Sequence, residues 1–431
     1  GIVAASEGDG AVYISELSSS EAHAAALVNL TVFDPNQRPD RLSYSGYVTV
    51  ESGAQMFVWF VEADIPLVKQ KDVPVVLWLQ GGPGCADTLG FFEELGPFLL
   101  LDTETPVTNP YAWSRNFHNV FIDNPVGSGF SYGDLDTYVA YQPEAARNLE
   151  QTLGGFFAKF SEYGANPLFI FGESYAGKWV PSLASYLLTY FPDKYNLQGV
   201  GIGDGLTNPY VQIAAHADHL ESVGLVFDRE RLRVDAYQAA ARSLVEEGNY
   251  VGANVQRNDM FEYIENITGN VNLYNFLQYN KRSHDPTVAY LNRPEIRMAL
   301  HVGSHTFAEM CNSEVKQLMS DDIMRSTAWD VEIILASGLR ALFYQGQLDL
   351  RDGYPEVLRM LRALKWSGGN SFNVSPSAIW RGPDGDVSGY VRSYSNLMQV
   401  VIVGAGHLAP QDKPQESLDM LTRFVMDLPF V

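Results

Sequence analysis

Three residues of this chain are of the types that together turn a hydroxyl into a nucleophile: Ser174, Asp349 and His407. Ser174 lies in Gly172-Glu173-Ser174-Tyr175-Ala176-Gly177, directly after an apolar run at 168–171 and before a second apolar stretch at 180–188. That context reads as strand, tight turn and helix. Such a turn needs small neighbours because other backbone passes close to it, and Gly172 and Ala176 supply them. Alanine stands where the pattern usually has its second glycine. A hydroxyl is a poor nucleophile near neutral pH, so Ser174 needs an imidazole to take its proton and a carboxylate to fix that imidazole's tautomer.

Candidates for both follow later in the chain. The run 341–344 leads into Gln345-Gly346-Gln347-Leu348-Asp349, and the run 400–403 leads into Gly404-Ala405-Gly406-His407. Asp352 competes with Asp349, and spacing alone leaves both open. An oxyanion hole needs two backbone N–H donors, one from the residue after the nucleophile and one from an earlier glycine loop. Tyr175 offers the first. The second is expected from Gln80-Gly81-Gly82-Pro83-Gly84-Cys85, after the run 75–79, with Gly82 the chosen donor. His216 and His219 could share a helix face and bind a metal. Without further ligands they read as surface histidines, and no metal or cofactor is expected.

The elements that must position these groups are legible as punctuated apolar runs. Residues 44–61 alternate around Gly46 and Gly53, as an antiparallel hairpin would. Runs at 75–79, 120–122, 168–171, 200–202, 341–344 and 400–403 are short and continuously apolar, the mark of strands buried on both faces. Helix-length segments such as 143–163 separate them. The order Ser, Asp, His, each just past such a run, fits an α/β-hydrolase fold: a mostly parallel sheet with helices on both faces. Residues 207–329 break the rhythm, so they are read as an inserted helical cap, with 1–206 and 330–431 as the core.

With 51 acidic against 29 basic side chains the net charge is −22, which argues against nucleic acid or an anionic membrane surface as partner. No run of about 18 apolar residues occurs, and residues 1–10 lack the parts of a signal peptide, so the chain reads as soluble and processed. Sequons at Asn29, Asn266 and Asn373 permit glycosylation. Two cysteines, Cys85 and Cys311, are either two thiols or one bridge.

Several blocks together resemble the serine carboxypeptidases: Trp78 to Cys85, Glu94-Leu95-Gly96-Pro97, Asn124-Pro125-Val126-Gly127, Gly129-Phe130-Ser131-Tyr132, Gly172 to Gly177, and Gly406-His407-Leu408-Ala409-Pro410. Gln80, Ile202-Gly203-Asp204-Gly205, Tyr274-Asn275-Phe276-Leu277 and Gly346 to Asp349 are similar to the vitellogenic-like branch. The resemblance implies removal of C-terminal residues from peptides or proteins, with Asp349 preferred over Asp352 and Gly82 and Tyr175 as oxyanion donors. It implies that Trp78, Gln80, Gly81, Glu94 and Glu173 receive the substrate's terminal carboxylate, and that Leu89 and Leu408 line the pocket of the departing residue. It also implies that Cys85 pairs with Cys311, in a lysosomal, vacuolar or secreted protein. Two glutamates facing an anion would repel it unless a proton is shared among the carboxyl groups, so acidic pH should favour binding. Most relatives have asparagine at Gln80 and serines at Ala86 and Asp87; here Asp87 is read as solvated. Acyl transfer on the same triad, and a non-catalytic protective role, are the rival readings, and a homodimer is compatible with the sequence.

Overall fold

The structure, a computed structural model, describes residues 10–100 and 105–430. The reading of the first residues as processed therefore lies outside the described residues, Gly10 excepted. Ten strands form one sheet: β1 (Ser43–Thr49), β2 (Gln55–Val61), β3 (Val75–Leu79), β4 (His118–Ile122), β5 (Leu168–Glu173), β6 (Leu197–Gly203), β7 (Arg340–Gly346), β8 (Ser377–Arg381), β9 (Val387–Tyr394) and β10 (Leu397–Ile402). Their order is β1-β2-β4-β3-β5-β6-β7-β10-β9-β8. The six strands from β4 to β10 in that order are parallel, and antiparallel pairs close both ends.

The parallel strands are apolar throughout because successive side chains feed two cores. Val75, Leu77 and Leu79 of β3 join one cluster, whereas Val76 and Trp78 join the other. Helices α1 (Gln142–Lys159) and α2 (Ala176–Tyr190) cover the first face with Leu149, Leu153, Phe156, Val180 and Leu183. On the second face Leu421 and Phe424 of the C-terminal helix Pro414–Val425 pack with Phe169, Phe171 and Leu342. Burial on this scale contributes about 1.5–3 kcal/mol per large apolar side chain.

All seven apolar segments anticipated as strands are strands. The antiparallel edge β8–β9 was not anticipated, because its side chains alternate between buried and exposed and it carries Arg381, Ser388, Arg392 and Ser393.

Between β6 and β7 the described residues contain helices and no strand of the sheet. Helices α3 (Asp228–Glu246) and α4 (Tyr250–Ile267) are packed together across the turn at 247–249. Val234, Ala253, Met260 and Ile264 belong to the first core, whereas Val288, Leu291, Ile296, Leu300 and Val302 belong to the second. The inserted stretch thus does more than cover one end of the sheet: Ser45 Oγ of β1 donates to Leu300 O at 2.8 Å. No helix among the described residues is long and apolar enough to cross a membrane.

Candidate active site

The register of the parallel strands brings the three candidate loops to one edge. Glu173 of β5 pairs with Gly203 of β6, Gly203 with Tyr344 of β7, and Gly346 with Ile402 of β10. Ser174, Asp204, Asp349 and His407 all follow the carboxyl ends of these strands. Ser174 has φ 61°, the left-handed conformation that a β-carbon disfavours. Its N–H donates to Gly203 O at 2.9 Å, and its carbonyl accepts from Gly177 N and Leu206 N, both at 2.9 Å. The close passage expected of this turn is real: a β-carbon at Gly172 would lie 2.4 Å from Leu79 O, and one at Gly81 would lie 2.7 Å from Ser174 Cβ and Tyr175 N.

His407 Nδ1 lies 2.8 Å from Asp349 Oδ2, both side chains being fully buried. Nε2, the nitrogen available to a hydroxyl, has no hydrogen-bond partner among the described residues. Asp349 also accepts from Arg351 N at 2.7 Å and Asp352 N at 3.2 Å. Asp352 itself turns away to pair with Arg257 at 3.4 Å. The imidazole is fixed further by Tyr274, whose carbonyl accepts from His407 N at 2.7 Å and whose ring lies 4.4 Å from the imidazole.

Asp204 is the residue that sequence reading left without a role. It is fully buried, and its carboxyl accepts from Gly346 N at 3.0 Å. Its ligand atoms, those of Asp349 and those of His407 lie within 4.8 Å of one another. Burial, and then the charge of Asp349, push the Asp204 carboxyl well above its ordinary range. Burial alone would raise Asp349 too, but the charge of His407 and the hydrogen bonds from His407, Arg351 and Asp204 hold it below the ordinary value. The two opposite shifts favour a proton on Asp204 over Asp349.

On the other side of Ser174 lies a second acid pair. Gln80 Nε2 donates to Glu173 Oε1 at 2.8 Å and to Glu94 Oε1 at 3.3 Å, while Trp78 Nε1 holds Gln80 Oε1 at 2.8 Å. Burial pushes Glu94 up to about 7, and burial together with the charge of Glu94 pushes Glu173 well above the usual carboxylate range. Gly82, at φ 116°, and Tyr175 offer backbone N–H groups that make no other hydrogen bond among the described residues. Beneath Tyr175, its hydroxyl and Gln142 both donate to Asp322, Gln142 at 2.8 Å. The buried ammonium of Lys178, pushed down to about 8 by burial, caps the same carboxylate.

An elbow serine, a carboxylate-bound imidazole and a buried glutamate pair occupy one sheet edge, and the family model for serine carboxypeptidases matches residues 35–427. The chain belongs to the serine carboxypeptidase family. It is 36% identical over 390 residues to serine carboxypeptidase-like 50 of Arabidopsis thaliana, covering 89% of this chain and 87% of that one. It is 34% identical over 396 residues to the vitellogenic carboxypeptidase of Aedes aegypti, covering 89% and 83%. A prohormone-processing carboxypeptidase from Saccharomyces cerevisiae superposes with a TM-score of 0.84 over 95% of this chain and 97% of that one, at 22% identity. That likeness establishes the shared α/β-hydrolase architecture.

The cysteines resolve as one bridge, Cys85–Cys311, which ties the glycine loop to the inserted stretch. Ala86 N and Met310 O, 2.9 Å apart, and Asn312 N and Gly84 O, 2.8 Å apart, hold the same junction. Two expectations are corrected. Asp87 is buried rather than solvated, because its carboxylate accepts from Gln80 N at 2.6 Å and Ile122 N at 3.0 Å, joining the ends of β3 and β4. His216 and His219 are buried rather than superficial: His216 bridges Ile213 O and Arg351 O, and His219 pairs with Glu356 at 3.1 Å. Leu408 lines a cavity with Tyr274 and Gln411, whereas Leu89 is buried in the second core. Asn29, Asn266 and Asn373 are all exposed.

Proposed function

We propose that this protein removes C-terminal residues from peptides through an acyl-enzyme on Ser174, with His407 as base and Asp349 as its orienter. His407 Nε2 takes the hydroxyl proton as Ser174 Oγ attacks the scissile carbonyl carbon. The N–H groups of Gly82 and Tyr175 receive the oxyanion. Collapse breaks the C–N bond, and the departing amine leaves with the proton from His407. Water then gives a proton to His407 as it attacks the acyl carbon, and the proton returns to Ser174 as the C–O bond breaks.

The observation that carries an exopeptidase reading, as against any other acyl hydrolase, is the Glu94–Glu173 pair beside Ser174. A pair that shares a proton can donate one hydrogen bond to a carboxylate, with the amide of Gln80 and the backbone of Gly81 completing the site and Trp78 fixing Gln80. An internal peptide bond or an amidated terminus leaves those buried groups unanswered. Because Glu94 sits at about 7, recognition is complete at acidic pH and fades as the pH rises through neutrality.

The test compares a peptide with its C-terminal amide, and with an ester lacking a carboxylate, between pH 5 and 8. Free peptide is cleaved fastest and loses activity towards pH 8, while the ester keeps it. Equal rates for acid and amide, or superimposable pH profiles, sink the reading. A fluorophosphonate probe is expected to label Ser174. The disulfide supports an oxidising compartment of the secretory pathway, with an acidic organelle or the exterior as destination.

A further inference from the structure

Asn254, Arg257, Lys316, Ile323, Arg351 and Asp352 line a narrow cavity that ends on Ser174, Gly82 and Tyr175. None of Trp78, Gln80, Glu94 or Glu173 takes part in it. If the terminal carboxylate is held at the glutamate pair, the acyl residue lies on the other side of the scissile bond, at this opening, whose free volume of about 10 Å³ holds about one water until the exposed side chain of Lys316 moves aside. In a chain carrying 51 acidic and only 29 basic side chains, its lining has three cations and one carboxylate.

Asp352 is committed to Arg257 at 3.4 Å. Arg351 and Lys316 make no ion pair with a described carboxylate. Arg351 rests instead over the rings of Phe261 and Tyr274, at 4.9 and 5.7 Å. The three cations also bear on one another. Burial and then the charges of Arg351 and Arg257 lower Lys316, and Arg257 is pushed down to about 10 by burial, with Arg351 adding to it against the pull of Asp352. Like charges brought together beside a nucleophile without matching carboxylates are complementary to an anion.

We propose that this cavity selects an acidic side chain, aspartate or glutamate, on the residue that forms the acyl-enzyme, with Lys316 and Arg351 as the residues that recognise it. This assignment rests on the carboxypeptidase reading of the same site. It makes the enzyme a trimmer of peptides whose penultimate residue is acidic.

The test uses three N-blocked dipeptides ending in phenylalanine, with glutamate, glutamine or lysine before it, at pH 5.5, where the glutamate side chain is ionised. Release of free phenylalanine gives kcat/KM for each. The wild-type protein is expected to favour glutamate over glutamine by about tenfold and over lysine by more. In Lys316→Glu the ratio of the glutamate to the lysine substrate inverts, and in Lys316→Met the ratio of glutamate to glutamine falls towards unity. Because only ratios within one variant are compared, a loss of overall rate does not disturb the reading. Raising salt from 0.05 to 0.5 M shrinks the wild-type preference several-fold, which needs no variant at all. Equal wild-type rates for glutamate and glutamine, or a preference that survives Lys316→Glu, overturn the acidic pocket alone. Release from none of the three dipeptides overturns the carboxypeptidase reading, and this one with it.

Discussion

Two pairs of buried acids flank Ser174, and they have opposite electrical fates. Glu94 and Glu173 are hydrogen-bonded by one neutral donor, the indole-held amide of Gln80, and burial outweighs the weaker pull of His407 on Glu94 and drives both towards the protonated state. Asp204 and Asp349 are as deeply buried, but His407 lies 2.8 Å from one of them and holds one charge in place. The lesson is that burial alone does not set the charge of an acid here; the placement of one imidazole does. The first pair is left free to greet an anion, and the second is committed to orienting a base.

The most drastic way to break the comparison is to remove its cation. His407→Ala is expected to lower kcat by at least about 10⁴ and to abolish fluorophosphonate labelling, as Ser174→Ala does. Labelling that survives in His407→Ala would show that Ser174 is activated by some other group.

Asp204 offers the next largest effect. As a protonated donor it is mimicked by an amide, whose carbonyl can still accept from Gly346 N while its NH₂ donates to Asp349. Asp204→Asn is therefore expected to keep kcat within a few-fold, whereas Asp204→Ala loses about 10–100-fold and shifts the pH profile set by His407. An Asn variant as damaged as the Ala variant, with both folded by circular dichroism, contradicts a proton held on Asp204.

How far the two pairs could be read in advance differs for a physical reason. Ser174 and His407 were legible because each follows an apolar run of the kind a doubly covered strand shows, and their chain order matches one fold; the run before Asp349 left Asp352 equally open, and only the family resemblance preferred Asp349. Asp204 follows such a run too, at the end of β6, and that was the available signal; nothing in Gly203-Asp204-Gly205 distinguishes a buried acid from a turn residue. Asp87 was misread because a charged residue in a glycine loop suggests solvent, whereas the crossing of two strand ends gave it two buried amides to accept from. Tyr274 stood in a family-like block with no sign of its role, since its grip on His407 is made by a backbone carbonyl and by packing between distant segments.

The glutamate pair can be sharpened with one substitution. Glu94→Gln removes the group that sits at about 7 and leaves a permanent donor in its place. In the wild-type protein KM for a peptide is expected to rise up to about tenfold per pH unit above 7, since one proton is lost from the binding form. The variant flattens that rise, while kcat/KM for an ester lacking a carboxylate changes little in either protein. A wild-type KM that stays level from pH 6 to 8 rules out the shared proton as the binding group.

The smallest effect concerns the fold itself. Burial pushes Asp123, like Glu94, up to about 7, while in the unfolded chain each ionises near its ordinary value of about 4. A carboxyl raised on folding stabilises fully below that ordinary value and loses its contribution as pH climbs through 7. His118 acts in the other direction, because burial pushes it down to about 4 and folding is opposed as pH falls from 6.5 towards that value. Heat stability should therefore peak between roughly pH 4 and 7, with a melting midpoint several degrees higher at pH 5.5 than at 8. Part of that slope belongs to the glutamate pair, so Glu94→Gln should reduce the difference between the two pH values. Asp204 belongs to the same class: raised by burial in the folded state and ionised near its ordinary value when unfolded, it takes up a proton on folding across this range, so Asp204→Asn should also reduce the difference. A slope left unchanged in Asp204→Asn would mean that Asp204 is ionised in the folded protein, and that His407 does not separate the two acids as the geometry implies.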